Sequence, residues 1–134
     1  MEINNLICQL IAIQNYCKDI HYNCKGEAFY SKHLLADRVQ ENISEYIDQI
    51  KEVFFLPEFK EPLSSAEYLR KAATIIPPIE DDKTNFTSLA KLLTLPLQEI
   101  EELKGLTVGE ENLIGTIAQD LQNSLGLVNM QFKD

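Results

Sequence analysis

HYNCKGEAFYSKH, residues 21–33, carries both histidines of the chain, one at each end, with Gly26 between them and Asp37 just beyond. Upstream, Ile3, Leu6, Ile7, Leu10, Ile13, Cys17 and Ile20 recur at steps of three and four. That spacing puts one apolar stripe on a helix over about 3–23. Lys25-Gly26 ends it, because glycine takes the left-handed turn at no steric cost. Downstream, Leu35, Val39, Ile43, Tyr46, Ile47, Ile50 and Phe54 form the stripe of a second helix over about 28–55, which Pro57 stops. The stretch is therefore a turn between two long antiparallel helices.

Residues 57–82 read as a long connection. Within it Ser64-Ser65-Ala66-Glu67 has capping-box spacing, which predicts a short helix over about 65–74, ended by Pro77-Pro78. A third helix is expected over about 84–104, kinked or interrupted at Pro96 and closed by Gly105. Thr107-Val108-Gly109-Glu110 is a second capping box. It opens a fourth helix with Leu113, Ile114, Ile117, Leu121, Leu125 and Val128 inward. Two hairpins joined by a crossover predict an all-α chain, a ferritin-like four-helix bundle with a short helix between helices two and three. Residues 1–134 are read as a single domain.

The formal net charge of −9, with Arg38 and Arg70 the only arginines, argues against general affinity for DNA or anionic lipid. No apolar run approaches the roughly 20 residues of a membrane span. MEINNLICQLIAIQNY at the N-terminus has neither a basic region nor a small-residue cleavage site, so the expected compartment is the cytoplasm. Three cysteines, Cys8, Cys17 and Cys24, with no C-x-x-C spacing, read as reduced thiols, Cys17 on a buried face.

On a wheel at about 100° per residue with His33 at zero, Asp37, Asp48 and Glu52 fall within about 100° of it, opposite the apolar stripe. The plain reading is a solvated helix face. Against it, Leu34 and Phe55 share that face, and both histidines stand beside carboxylates. His33 and Glu52 lie about 28 Å apart along a helix axis, too far for one metal site. If the set binds one centre, a second chain completes it. Two copies of helix two packed antiparallel about a twofold near Asn42-Ile43 would set Asp48 and Glu52 of one against His33 and Asp37 of the other, giving two equal sites. His21 approaches His33 within one subunit across the Gly26 turn. Imidazoles mixed with carboxylates suit iron, zinc or manganese.

At these residues the chain resembles the Dps family, the mini-ferritins that protect DNA during starvation. The family pattern H-W-N-x-x-G-x-x-F-x-x-x-H, an acid four residues on, then D-x-x-x-E, is met by His21-Tyr22-Asn23-Cys24-Lys25-Gly26, Phe29, His33, Asp37, Asp48 and Glu52. The likeness covers about 5–56 well, and the second half agrees in helix order. It implies a hollow homo-dodecamer that oxidises Fe(II), usually with hydrogen peroxide and otherwise with oxygen, at ferroxidase centres on twofold interfaces, and stores ferric mineral against oxidative stress. His21, His33 and Asp37 would ligate or orient iron from one subunit. Asp48 and Glu52 would come from the partner, with Glu52 bridging. Zinc and manganese would compete. Tyr22 stands where the family has tryptophan, and the Lys-rich N-terminal extension that many members use on DNA is missing, so no DNA binding of that kind is expected.

Two other readings stand beside this one. His21-x-x-Cys24 with His33 hints at a zinc-dependent hydrolase on a helical bundle, though a fourth well-placed ligand is missing. A catalytically silent oligomer would keep the fold as a shell. Glu99, Glu101 and Glu102 read as a solvated helix end, and Glu80-Asp81-Asp82 as a cap. Tyr16, Tyr30 and Tyr46 read as core or interface residues rather than redox relays.

Overall fold

In the computed structural model, which describes residues 2–133, the helices are α1 (Glu2–Asn23), α2 (Phe29–Gln40), α3 (Ile43–Phe54), α4 (Ser65–Ala73), α5 (Asp82–Glu102) and α6 (Val108–Met130). The predicted stripe of α1 is buried throughout: Ile3, Leu6, Ile7, Leu10, Ile13, Cys17 and Ile20. Each such side chain contributes roughly 1.5–3 kcal/mol by leaving water. α1 is the central element, packed on α2, α3, α4 and α5.

Side-chain partners give the helix directions. Gln9 donates to Glu99 and the Tyr16 hydroxyl to the Asn85 carbonyl, both at 3.3 Å, so α5 runs antiparallel to α1. Arg38 donates to Asn123 at 3.2 Å and the Tyr46 hydroxyl to Asp120 at 2.7 Å, so α6 runs antiparallel to α2 and α3. The two hairpins, α1 with α2–α3 and α5 with α6, thus lie side by side, and the connection must span the bundle. α4 rides on it, anchored by the buried Tyr68, whose hydroxyl donates to Asn4 at 2.7 Å.

The caps follow local chemistry. The Ser64 hydroxyl accepts from the Glu67 amide at 3.2 Å. Thr107 and Glu110 form the full reciprocal box, at 3.1 and 2.8 Å. Asp81 caps α5 through the Thr84 amide at 3.2 Å, as the acidic triplet suggested, and the helix starts at Asp82 rather than 84. Of the kink or interruption expected at Pro96, the interruption does not occur. α5 continues through that buried proline to Glu102, then turns at Gly105, whose φ is +68°.

Two expectations are corrected. Helix two is not continuous over 28–55. It breaks at Glu41-Asn42, where the Glu41 amide reaches Arg38, three residues back, at 3.4 Å and ψ of Asn42 is 1°. No proline or glycine causes this. The Asn42 side chain is drawn to Asp120 of α6 at 3.4 Å, with Tyr46 and Arg38 on the same carboxylate. Asparagine tolerates the departure because its amide competes for local partners. Second, Phe55 does not share the outward face. It is 1% exposed, because α3 ends at Phe54, the backbone at Phe55 moves to φ −108°, and a 3-10 turn over Leu56–Glu58 folds the ring inward. Leu56 and Phe59 are the residues that face out. No helix among the described residues is long and apolar enough to cross a membrane.

Candidate metal centre

The turn that carries the histidines uses two left-handed residues, Gly26 (φ +78°) and Ala28 (φ +59°). It is tied to the start of α5. Asp82 accepts from the Lys25 amide at 3.2 Å and from the Lys32 ammonium at 2.9 Å, and the same ammonium donates to the Lys25 carbonyl at 3.2 Å. Burial pushes the Asp82 carboxyl up, but the Lys32 and Lys25 contacts outweigh it and hold the group below its ordinary 3.8. A carboxylate with a depressed folded-state pKa adds stability above its unfolded value, and that stability is lost as pH falls through the folded value. Urea melts from pH 6 to pH 2.5 should therefore show a smaller acid loss in Asp82→Asn, which already lacks the increment at pH 6. Parallel curves for the two chains would remove the brace from the account.

This brace sets α1 and α2 so that the two histidines meet. Their rings stack at 3.5 Å between centroids, 19° from parallel, and both are half-buried. Each ring also bonds to the other's backbone: His21 Nδ1 lies 2.9 Å from the His33 carbonyl and His33 Nδ1 lies 2.7 Å from the His21 carbonyl. A carbonyl only accepts, so both Nδ1 atoms carry the proton. In the neutral rings both Nε2 lone pairs are then free. A backbone carbonyl on the far nitrogen is the usual means of fixing a metal-ligating imidazole. Phe29 stacks on His33 at 5.2 Å, and Tyr22 meets His21 edge-on at 4.9 Å while 76% exposed.

Cys24 does not join the set. Its buried thiol points at the His21 and Phe29 carbonyls, 3.8 and 4.0 Å away, and burial, then the Asp82 charge, pushes its pKa up. It stands as a weak donor to those two carbonyls.

The carboxylates lie elsewhere. Asp37 is exposed on α2 and accepts from Gln40 at 3.0 Å. Asp48 and Glu52 are exposed on α3, and neither enters an ion pair among the described residues. The break at Glu41-Asn42 means that these two cannot be phased to His33 by one helical wheel, although all three carboxylates do face away from the core. Among the described residues of the single chain, no group of three or more His, Cys, Asp or Glu side chains is placed to hold a metal. The structure brings together His21 and His33 and leaves Asp48 and Glu52 apart from them.

Sequence reasoning missed two parts of this region. The Asp82 brace comes from a residue 57 positions from Lys25, with no local signal. The Tyr46–Asp120 pair is equally remote. There burial, then the neighbouring carboxylate, pushes the Tyr46 hydroxyl up to about 12, so it stays protonated and donates.

No family model matches this sequence, and no curated protein matches it. The fold does match a solved structure: the DPS protein from Vibrio cholerae O1, described as a member of a broad superfamily of ferritin-like diiron-carboxylate proteins. The TM-score is 0.84 at 20% sequence identity, over 98% of this chain and 87% of that one. The fold is therefore the all-helical, ferritin-like fold of a Dps protein.

Proposed function

We propose that this chain, folded as a Dps-type bundle, is an iron-binding mini-ferritin that oxidises Fe(II) at centres shared between two subunits. The observation that carries the reading is the reciprocal histidine pair, which leaves two Nε2 atoms free at the end of α2. Exposed carboxylates on α2 and α3 supply the hard oxygen donors that iron prefers alongside imidazole. His21, His33 and Asp37 would hold iron from one subunit. Asp48 and Glu52 of the partner subunit would complete the shell, with Glu52 bridging. Among the described residues one chain holds no group of three such donors, so this reading requires the partner's carboxylates.

In this reading Fe(II) is the substrate and hydrogen peroxide the oxidant. Two Fe(II) ions give one electron each, the O–O bond breaks, and two protons complete two waters. The histidines hold the ions side by side with Nδ1 anchored, so the rings need not reorient as charge builds. The carboxylates favour the Fe(III) product electrostatically. The product is stored as ferric mineral in a homo-oligomeric cage, a dodecamer, working in the cytoplasm, where the free cysteines stay reduced. Zinc and manganese compete for the same donors.

Purified protein mixed with Fe(II) under anaerobic conditions, then given peroxide, should develop ferric absorbance well above a protein-free control. A rate equal to the control would retire the enzyme reading and leave the silent shell.

A further inference from the structure

The break between α2 and α3 is not written into the segment that carries it. Residues 29–54 contain neither proline nor glycine. The apolar packing does not ask for a break either. On one continuous wheel at about 100° per residue, the buried Ala36, Val39, Ile43, Ile50 and Phe54 fall within about 60° of one another. An unbroken helix would bury the same stripe and gain a hydrogen bond for each residue it pairs.

What opposes closure comes from α6. The Asp120 carboxylate, 20% exposed, takes contacts from both sides of the break. Arg38, before it, lies 3.6 Å away and also donates to Asn123 at 3.2 Å. Tyr46, after it, donates to Asp120 at 2.7 Å, and the Asn42 amide group does so at 3.4 Å. Asparagine is a strong helix-capping residue, yet the Asn42 side chain makes no cap bond on α3. It turns to Asp120 instead.

We propose that Asp120 is a positioning residue: it holds helix two broken at Glu41-Asn42 and so sets the angle and phase between the half that bears His33 and Asp37 and the half that bears Asp48 and Glu52. Without it, residues 29–54 close into one helix, and the α3 carboxylates rotate to the phase of a single wheel. The hold rests on the contacts just given. Its use rests on the iron reading proposed above, in which both halves supply donors and a small misplacement of a donor slows the chemistry.

Hydrogen exchange read by mass spectrometry on the full Asp120→Ala chain tests the hold. A helix start leaves up to four N–H groups without an acceptor, and closure supplies one to each. Residues 38–46 should therefore take up about two to four fewer fast deuterons than in the wild type. Simple loosening on loss of a contact would do the opposite, so equal or greater uptake overturns the proposal. If the alanine chain loses its helical circular dichroism, Asp120→Leu, which fills the space without accepting a hydrogen bond, takes its place with the same expectation. Iron oxidation tests the use. The variant should oxidise Fe(II) with peroxide roughly 10–100-fold more slowly. Asp120→Glu, which keeps a carboxylate, should recover most of the rate and the wild-type uptake, and a glutamate chain as slow as alanine overturns the positioning role. So does an alanine chain that is protected at 38–46 yet oxidises iron at the wild-type rate. If the wild type itself oxidises no faster than buffer, the iron reading fails and the positioning role with it, while the uptake still decides whether Asp120 holds the break.

Discussion

Chains carrying His33→Ala and chains carrying Glu52→Ala, each inert alone, are expected to oxidise Fe(II) once they are unfolded together and refolded as a mixture. In a shared centre the imidazole of one subunit works with the carboxylate of the other. A mixed dimer then has one site that lost both ligands and one that lost neither. Random pairing puts about half of the subunit pairs in the mixed class, so about a quarter of native activity should return. The single variants and their mixture should have the same helix content, because Glu52 is exposed and His33 only half-buried at the bundle end. A mixture as inert as its parents would place the whole centre within one chain and end the reading. Asp48→Ala with Glu52→Ala should abolish oxidation in every combination with itself, again without loss of helix.

Phe55→Ala should cost about 3–5 kcal/mol of stability, read from urea melts, the usual range for deleting a buried aromatic ring. The ring is 1% exposed and belongs to the core cluster with Phe54 and Ile50. A typical domain has about 5–15 kcal/mol in total, so this one change would consume a large share of it. Were Phe55 on the outward face, as the helical wheel placed it, alanine would shift the melt by no more than about 0.5 kcal/mol. The two placements differ so widely that one melt at low protein concentration decides between them.

The α1 stripe and the caps at Ser64, Asp81 and Thr107 were legible because each is a local matter of spacing or of one side chain near its own backbone. The meeting of His21 and His33 was legible too, since a glycine turn between two apolar stripes leaves few ways to fold back. The break at Glu41-Asn42 was not, because its cause, Asp120, lies 78 residues away from Asn42. Phe55 was misplaced for a related reason. Pro57 announces the end of the helix, but which way the last residues turn is set by tertiary packing. At the proposed centre, Asp48 and Glu52 would meet the histidines only through a second copy of the chain, and no periodicity in one copy contains that.

The three buried cysteines have a bearing on durability. The thiolate is the form that attacks peroxide, and burial raises the pKa of Cys8, Cys17 and Cys24 alike, with Cys17 further raised by Asp37. Each therefore stays a neutral, shielded thiol, slow to climb toward sulfenic acid. Cys24 keeps that state one turn from His21, so the oxidant chemistry proposed for the histidines would meet no reactive thiolate at that spot.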